Sequence, residues 1–224
     1  MLPEYHIVDG VGVGLVYAAV PKVACTSVKE ALAEAAQSHS GVRLRSGSRL
    51  SNETDDYFKF AFVRNPFDRL VSCYEDKVRG IDQNGGGYYF SSRYNNWFVW
   101  TIFGEKFHSA MTFDEFVSLV ARIPDRLSDI HFRSQCSLLF SHRVMKPDYI
   151  GRFESIDKDW EYISTRFDLA PLRSRNVSRR SAWPEYYANQ ATISTVWSRY
   201  RKDIETFGYW DECRALLHPI NAGW

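Results

Sequence analysis

Two cationic residues stand where apolar runs break into helical ones: Lys22 in Val20-Pro21-Lys22-Val23-Ala24-Cys25-Thr26-Ser27, and Arg64 in Phe62-Val63-Arg64-Asn65-Pro66-Phe67-Asp68-Arg69-Leu70-Val71-Ser72. A helix start exposes backbone N–H groups, and a nearby cation adds a full charge to their field, so such a place attracts anions. Beside Lys22, the hydroxyls of Thr26 and Ser27 can donate to the same anion, and the stretch reads as a phosphate or sulfate cradle. It is not a Walker A loop, which puts its lysine directly before the hydroxyl and uses glycines for close approach. An ordinary nucleoside triphosphatase is therefore disfavoured. Taken singly, a lysine at a strand end is as well explained as a solvated surface charge. Arg64 shifts that balance. A bidentate guanidinium with Ser72 two turns along suits a phosphate monoester, and two anion sites at two strand-to-helix turns fit two phosphates of one nucleotide.

The elements that must position these residues are legible in the periodicity. Gly14 to Val20 has the length and composition of a buried strand, and Thr26 to Gln37 follows with Val28, Ala31, Leu32 and Ala35 at helical spacing. Ser27-x-x-Glu30 also matches a capping box, so the hydroxyls of Thr26 and Ser27 are explained as well by satisfying the free amides of a helix start, and the two uses are compatible. Phe58 to Val63 is a second buried strand. The helix after it opens on Pro66 and Asp68 and carries Phe67, Leu70, Val71, Tyr74 and Val78 on one face. Thr112-x-x-Glu115 caps a helix with Phe113, Phe116, Val117 and Val120 inward. Tyr149 to Phe153 is a strand, Ile156 to Phe167 a helix, and Ile193 to Phe207 a helix bearing Trp197, Tyr200 and Ile204. Strands alternating with helices predict an α/β fold of three layers, a mainly parallel sheet with helices on both faces.

Bulk properties bound the possibilities. A chain of 224 residues, 45% hydrophobic and 25% charged, predicts one globular domain over residues 1–224. A net charge of +1 gives no general case for nucleic acid, so anion binding must come from local patches. No apolar run is long enough to span a bilayer, and the first residues lack the basic region and apolar core of a signal peptide. Cys25, Cys73, Cys136 and Cys213 are widely spaced without a C-x-x-C pair, which suits reduced thiols in the cytoplasm better than a disulfide framework or a zinc site. The luminal part of a membrane-anchored enzyme is the alternative location.

The first stretch resembles the 5'-phosphosulfate-binding loop of sulfotransferases, and the second resembles their 3'-phosphate-binding motif. The likeness is to carbohydrate sulfotransferases of the chondroitin and dermatan type. It continues in order through Tyr74-x-Asp76-Lys77, Thr112-Phe113-x-Glu115-Phe116, His131-Phe132-Arg133-x-Gln135, Tyr149-Ile150-Gly151-x-Phe153-Glu154, Asn176-Val177-Ser178 and Tyr200-x-x-Asp203-x-x-x-Phe207-Gly208-Tyr209. Phe132 and Ser134 stand where that family commonly has Trp and Pro.

The resemblance implies the P-loop-like sulfotransferase fold and a donor, 3'-phosphoadenosine 5'-phosphosulfate (PAPS), with 3'-phosphoadenosine 5'-phosphate as product, no metal, and a hydroxylated carbohydrate as acceptor. By the same carry-over, Lys22 acts at the leaving-group oxygen, the stretch Ala24, Cys25, Thr26 and Ser27 holds the 5'-phosphosulfate, and Arg64 with Ser72 holds the 3'-phosphate. His131 is the favoured general base, being an imidazole in a family-like stretch; Glu154 is the rival base and candidate acceptor contact. Arg133 is a candidate contact for an anionic acceptor or an ion-pair partner. Residues 79–107 hold nine aromatics and three consecutive glycines, with Trp97, Trp100 and Phe103 at helical spacing, which favours core packing over a sugar platform. Arg173, Arg175, Arg179 and Arg180 form a basic segment, most simply a solvated loop. A non-catalytic glycan- or nucleotide-binding module is the alternative to an enzyme, and an ATP-dependent kinase a remoter one.

Overall fold

The structure is a computed structural model, and it describes residues 4–10, 13–79, 104, 107–140, 146–173 and 183–217. Its strands are β1 (Glu4–Gly10), β2 (Val13–Ala19), β3 (Arg43–Gly47), β4 (Phe58–Val63) and β5 (Tyr149–Arg152). Its helices are α1 (Cys25–Ser38), α2 (Pro66–Lys77), α3 (Phe113–Arg122), α4 (Gln135–Phe140), α5 (Ile156–Phe167), α6 (Gln190–Phe207) and α7 (Trp210–Leu217). The chain divides into two compact units that interleave in sequence: Met1–Arg64 with Gln135–Arg179, and Asn65–Ser134 with Arg180–Trp224. Among the described residues, no helix is long and apolar enough to cross a membrane.

The first unit holds the sheet, in the order β3-β1-β2-β4-β5. β2 pairs parallel with β4, and β4 parallel with β5, but β1 runs antiparallel to both β2 and β3. The sheet is therefore mixed rather than mainly parallel. The physical reason lies in connection length: two residues separate β1 from β2 in sequence, enough to join antiparallel strands and far too few for a parallel crossover. β1 and the exposed, arginine-rich β3 carry weaker apolar signals than β2 and β4, and only the structure reveals them.

The core of this unit is aromatic. Tyr17 stacks on Phe60 at 5.1 Å, Phe60 meets Phe62 edge-on at 6.0 Å, and Trp160 of α5 lies 6.4 Å from both phenylalanine rings. α1 buries Val28, Ala31, Leu32 and Ala35, the face its spacing predicts. Phe62 fits against β5 because the facing residue is Gly151, where an added Cβ would stand 2.5 Å from the Phe62 ring and 3.0 Å from the Asp159 Cβ. Asp159 itself fastens the end of β5, accepting from the Arg152 backbone N–H at 2.7 Å, the Ser155 hydroxyl at 2.8 Å and the Tyr149 hydroxyl at 2.8 Å. Burial opposes its charge, yet these hydrogen bonds hold its carboxyl below the ordinary aspartate value of 3.8. Burial together with the bond to this carboxylate pushes the Tyr149 hydroxyl up to about 12.

The second unit is helical. Asn65 caps α2 by accepting from the Phe67 N–H, with Pro66 at the first position and Asp68 in the first turn. Thr112 and Glu115 form the reciprocal capping box of α3. α6 starts three residues earlier than its apolar spacing predicts, at an Asn189 cap, because polar first-turn residues give no periodic signal. Phe67, Leu70, Val71, Tyr74, Phe113 and Phe116 are buried, and Tyr187 packs edge-on against Phe67 at 4.9 Å and Phe113 at 5.1 Å. The aromatic readings at Trp97, Trp100 and Phe103 lie outside the described residues, as do Arg175, Arg179 and Arg180; Phe107 is buried and Arg173 pairs with Glu34 at 3.0 Å.

Two stability outcomes follow from this packing. Gly151→Ala forces Phe62 out of place and lowers the unfolding free energy by about 1–3 kcal/mol in denaturant melts, with unchanged helix content. Because the folded-state pKa of Asp159 is depressed, its stabilisation is complete above pH 3.8 and fades as pH falls through the lower folded value. Asp159→Asn therefore flattens the acid limb of the stability–pH curve and also lowers the plateau.

Candidate functional site

β2 ends at Ala19, and the chain turns through Pro21, Lys22, Val23 and Ala24 into α1. Lys22 (φ 71°) and Ala24 (φ 48°) both adopt left-handed backbone, a conformation that L-residues other than glycine take only at a cost. Alternating such residues turn successive N–H groups to one side and form the concave nests that bind anions. α1 begins at Cys25, one residue before the expected Thr26, and its N-cap is Ala24 rather than the Ser27 of the capping-box pattern. The correction has a simple cause: the left-handed turn at Ala24 already launches the helix, and Ser27 falls inside its first turn. No side chain caps this end and no acidic residue stands in its first turn. α2, α3 and α6 have side-chain caps, and α5 carries Asp157 and Asp159 in its first turn. An α1 start without cap or acid, with half-buried Lys22, Cys25 and Ser27 and exposed Thr26 around it, has the charge and donors to take an anionic group.

Arg64 follows the last residue of β4 and is 5% exposed. The side-chain amide of Gln135, fully buried at the start of α4, grips both its backbone groups: the Arg64 N–H donates to Gln135 Oε1 at 2.9 Å, and Gln135 Nε2 donates to the Arg64 carbonyl at 2.8 Å. The guanidinium lies over the Phe153 ring, 4.1 Å from its centroid, and its Nη1 donates to the Lys22 carbonyl at 3.2 Å. The two cations singled out from sequence are thus joined within one unit. Tyr17, also in this unit, is fully buried, its hydroxyl has no hydrogen-bond partner among the described residues, and burial pushes its pKa well up, with Cys25 and Glu4 adding to the shift.

His131 lies in the second unit, on a loop held by an unusual density of bonds. Asp129 Oδ1 is 2.6 Å from His131 Nδ1 and also accepts from the His131 backbone N–H at 2.9 Å. The carboxylate thereby fixes the tautomer with its proton on Nδ1 and leaves Nε2 as the basic nitrogen. Arg69, 2% exposed on α2, donates to the carbonyls of Ile130 at 3.0 Å and Arg133 at 2.7 Å, and the Tyr200 hydroxyl donates to that of Phe132 at 2.6 Å. Arg133 is buried and donates to the carbonyls of Ser128 and Arg126. Ser134 donates its N–H and hydroxyl to Asp125 at 2.9 and 2.7 Å, and Asp125 also pairs with Arg199 at 3.2 Å.

Of the remaining sequence candidates, Ser72 is 2% exposed on α2, in the second unit, whereas Glu154 is exposed in the turn after β5, in the first. Asp76 and Lys77 pair with each other at 2.8 Å. Three residues were not singled out: Asp129, Arg69 and Gln135. The Asp-x-His spacing was the available signal for Asp129. Arg69 and Gln135 stand in motif stretches but were given no role, because their partners are backbone groups far off in sequence.

The chain is thus a mixed α/β protein in which the strand-to-helix turn at Lys22 is tied to Arg64. Residues 7–210 match the family model described as "Sulfotransferase family", and the chain belongs to that family. It is similar to carbohydrate sulfotransferase 14 of Danio rerio, 27% identical over 86% of this chain and 59% of the relative. It is also similar to carbohydrate sulfotransferase 11 of Rattus norvegicus, 24% identical over 89% and 61%, and to carbohydrate sulfotransferase 14 of Homo sapiens, 26% identical over 91% and 60%. The chain thus spans about three fifths of the length of these relatives. No solved structure matches.

Removing the Arg69 guanidinium strands two carbonyls of the His131 loop. Arg69→Met is expected to lower the unfolding free energy by roughly 2–4 kcal/mol, measured by denaturant titration. A loss within 0.5 kcal/mol, about that of an ordinary surface change, would remove Arg69 from this role.

Proposed function

We propose that the protein is a sulfotransferase that moves a sulfuryl group from PAPS to a hydroxyl of a carbohydrate, with residues 1–224 forming one sulfotransferase domain. The observation that carries this reading is the uncapped, left-handed Lys22 loop tied to Arg64, inside a chain of the sulfotransferase family. The donor supplies the transferable sulfuryl group and a phosphate leaving group. Lys22 places positive charge where the leaving oxygen gains negative charge, and such preorganised charge lowers the barrier because nothing has to reorganise during reaction. The amides and side chains of Ala24, Cys25, Thr26 and Ser27 hold the 5'-phosphosulfate. Arg64 and Ser72 bind the 3'-phosphate and so distinguish the donor from ATP, which lacks it.

His131 takes the proton of the attacking hydroxyl at Nε2. Asp129 orients the ring and stabilises the imidazolium that forms, as a carboxylate beside a catalytic histidine does. Arg133, held by bonds to the carbonyls of Ser128 and Arg126, is the candidate contact for an anionic acceptor beside His131. Glu154 remains the candidate contact for acceptor hydroxyls. No step in this scheme uses a metal.

The donor reading is tested by calorimetric titration with 3'-phosphoadenosine 5'-phosphate, with ATP and AMP as controls and no added metal. Selective binding of the bisphosphate is expected; equal binding of all three, or none in a folded sample, would sink it. Lys22→Ala lowers turnover at saturating donor by about 100- to 1000-fold with the fold intact. His131→Ala costs about 100- to 10,000-fold in kcat, while Asp129→Asn costs less, because the ring loses its orienting carboxylate but keeps its nitrogens. Retention of full turnover by His131→Ala would transfer the base role to Glu154.

A further inference from the structure

Arg64 makes more fixed contacts than an arginine that serves only as an anion ligand requires. Gln135 holds its backbone on both sides, Phe153 supports the plane of its guanidinium, and Nη1 reaches the carbonyl of Lys22. That carbonyl belongs to a residue in left-handed backbone, φ 71°, a conformation that persists only where its surroundings over-determine it. A guanidinium presents five N–H donors in a planar fork, so donation to a carbonyl does not by itself exclude a phosphate. The same group can therefore hold the loop and meet a phosphate. Lys22 contributes to binding only if the loop places its ammonium correctly, because a point charge on a flexible stem has little geometric preference of its own.

We propose that Arg64 is a positioning residue for the Lys22 loop as well as an anion ligand, so that the 3'-phosphate and 5'-phosphosulfate sites of the donor are energetically coupled through the Arg64–Lys22 carbonyl bond. The proposal rests on the donor reading above and adds to it. A nucleotide lacking the 3'-phosphate then fails for two reasons: it forgoes one anion contact, and it forgoes the coupling of that contact to the lysine loop. Donor selectivity arises from the tertiary bond as well as from the second pocket. Gln135 belongs to the same device, because its amide sets where the Arg64 side chain begins.

The test is a double-mutant cycle on the affinity for adenosine 3',5'-bisphosphate, measured by calorimetry on the whole chain with Lys22→Met, Arg64→Met and both. Coupling predicts that Lys22→Met weakens binding by about tenfold or more in the wild-type background but by less than about threefold in the Arg64→Met background. Losses that multiply to within about twofold mean two independent anion contacts, and they overturn the coupling while leaving the donor reading intact. A Lys22→Met change without effect in the wild-type background also overturns it. Failure of the folded wild-type chain to bind the bisphosphate overturns the donor reading, and the proposal with it. If circular dichroism shows Arg64→Met unfolded, Arg64→Lys replaces it in the cycle under the same criterion, since a lysine keeps the charge without the fork.

Discussion

The parallel pairing of β2 with β4 is the constraint on which the first unit's chemistry depends. Leu15 opposes Phe58 and Ala18 opposes Ala61, so the two strands run in step and end together at one edge of the sheet. Neighbouring strands lie about 4.8 Å apart, so the turns that leave them emerge as neighbours. This is why a residue just past β4 reaches the carbonyl of one just past β2, although 42 positions separate them. An antiparallel pairing would have sent the two turns to opposite edges. The hairpin of β1 and β2 leaves this arrangement untouched, since it extends the sheet on the other side of β2.

Buried arginines recur in both units, and much of what they serve is backbone. Arg64 holds the Lys22 carbonyl, Arg69 those of Ile130 and Arg133, and Arg133 those of Ser128 and Arg126. Loops lack ladder partners for their carbonyls, and a buried carbonyl without a donor is costly, so a fork of several N–H groups is an economical way to fix irregular chain. The Lys22 turn and the His131 loop are therefore held by side chains, some from outside the loop, as with Arg64 and Arg69, and some from within it, as with Arg133. Asp129 does for the imidazole of His131 what the arginines do for the backbone, leaving one rotamer and one tautomer favoured.

The elements nearest the site were the most legible. β4 and α5 have the boundaries that their periodicity predicts, and α2 starts at Pro66 as its composition requires. These segments combine strong apolar periodicity with explicit start signals. α1 starts one residue before the Thr26 that its spacing predicts, and the Ser27-x-x-Glu30 pattern falls inside its first turn, because a local pattern cannot register that Ala24 takes a left-handed turn and starts the helix earlier. The mainly parallel sheet was an over-extension of the same kind. Alternating strands and helices indicate parallel pairing where they alternate, but β1 and β3 are joined to their neighbours in other ways. That Arg133 donates to the carbonyls of Ser128 and Arg126 was not legible either, because those partners are backbone groups that no motif marks.

By itself, the sequence determined the residue types at the two strand-to-helix turns, the α/β class, and the resemblance that links Lys22, Arg64 and Ser72 to one donor. These are properties of short segments, decided by periodicity, capping chemistry and charge. Tertiary structure alone decided that Arg64 is tied to the Lys22 loop, that Gln135 fixes Arg64, and that Asp129, Arg69 and Tyr200 hold the loop of His131. The partners of these bonds are mostly backbone groups, which every residue carries. The chain's identity at such positions says nothing of the contact, and only the fold brings a particular carbonyl to a particular donor.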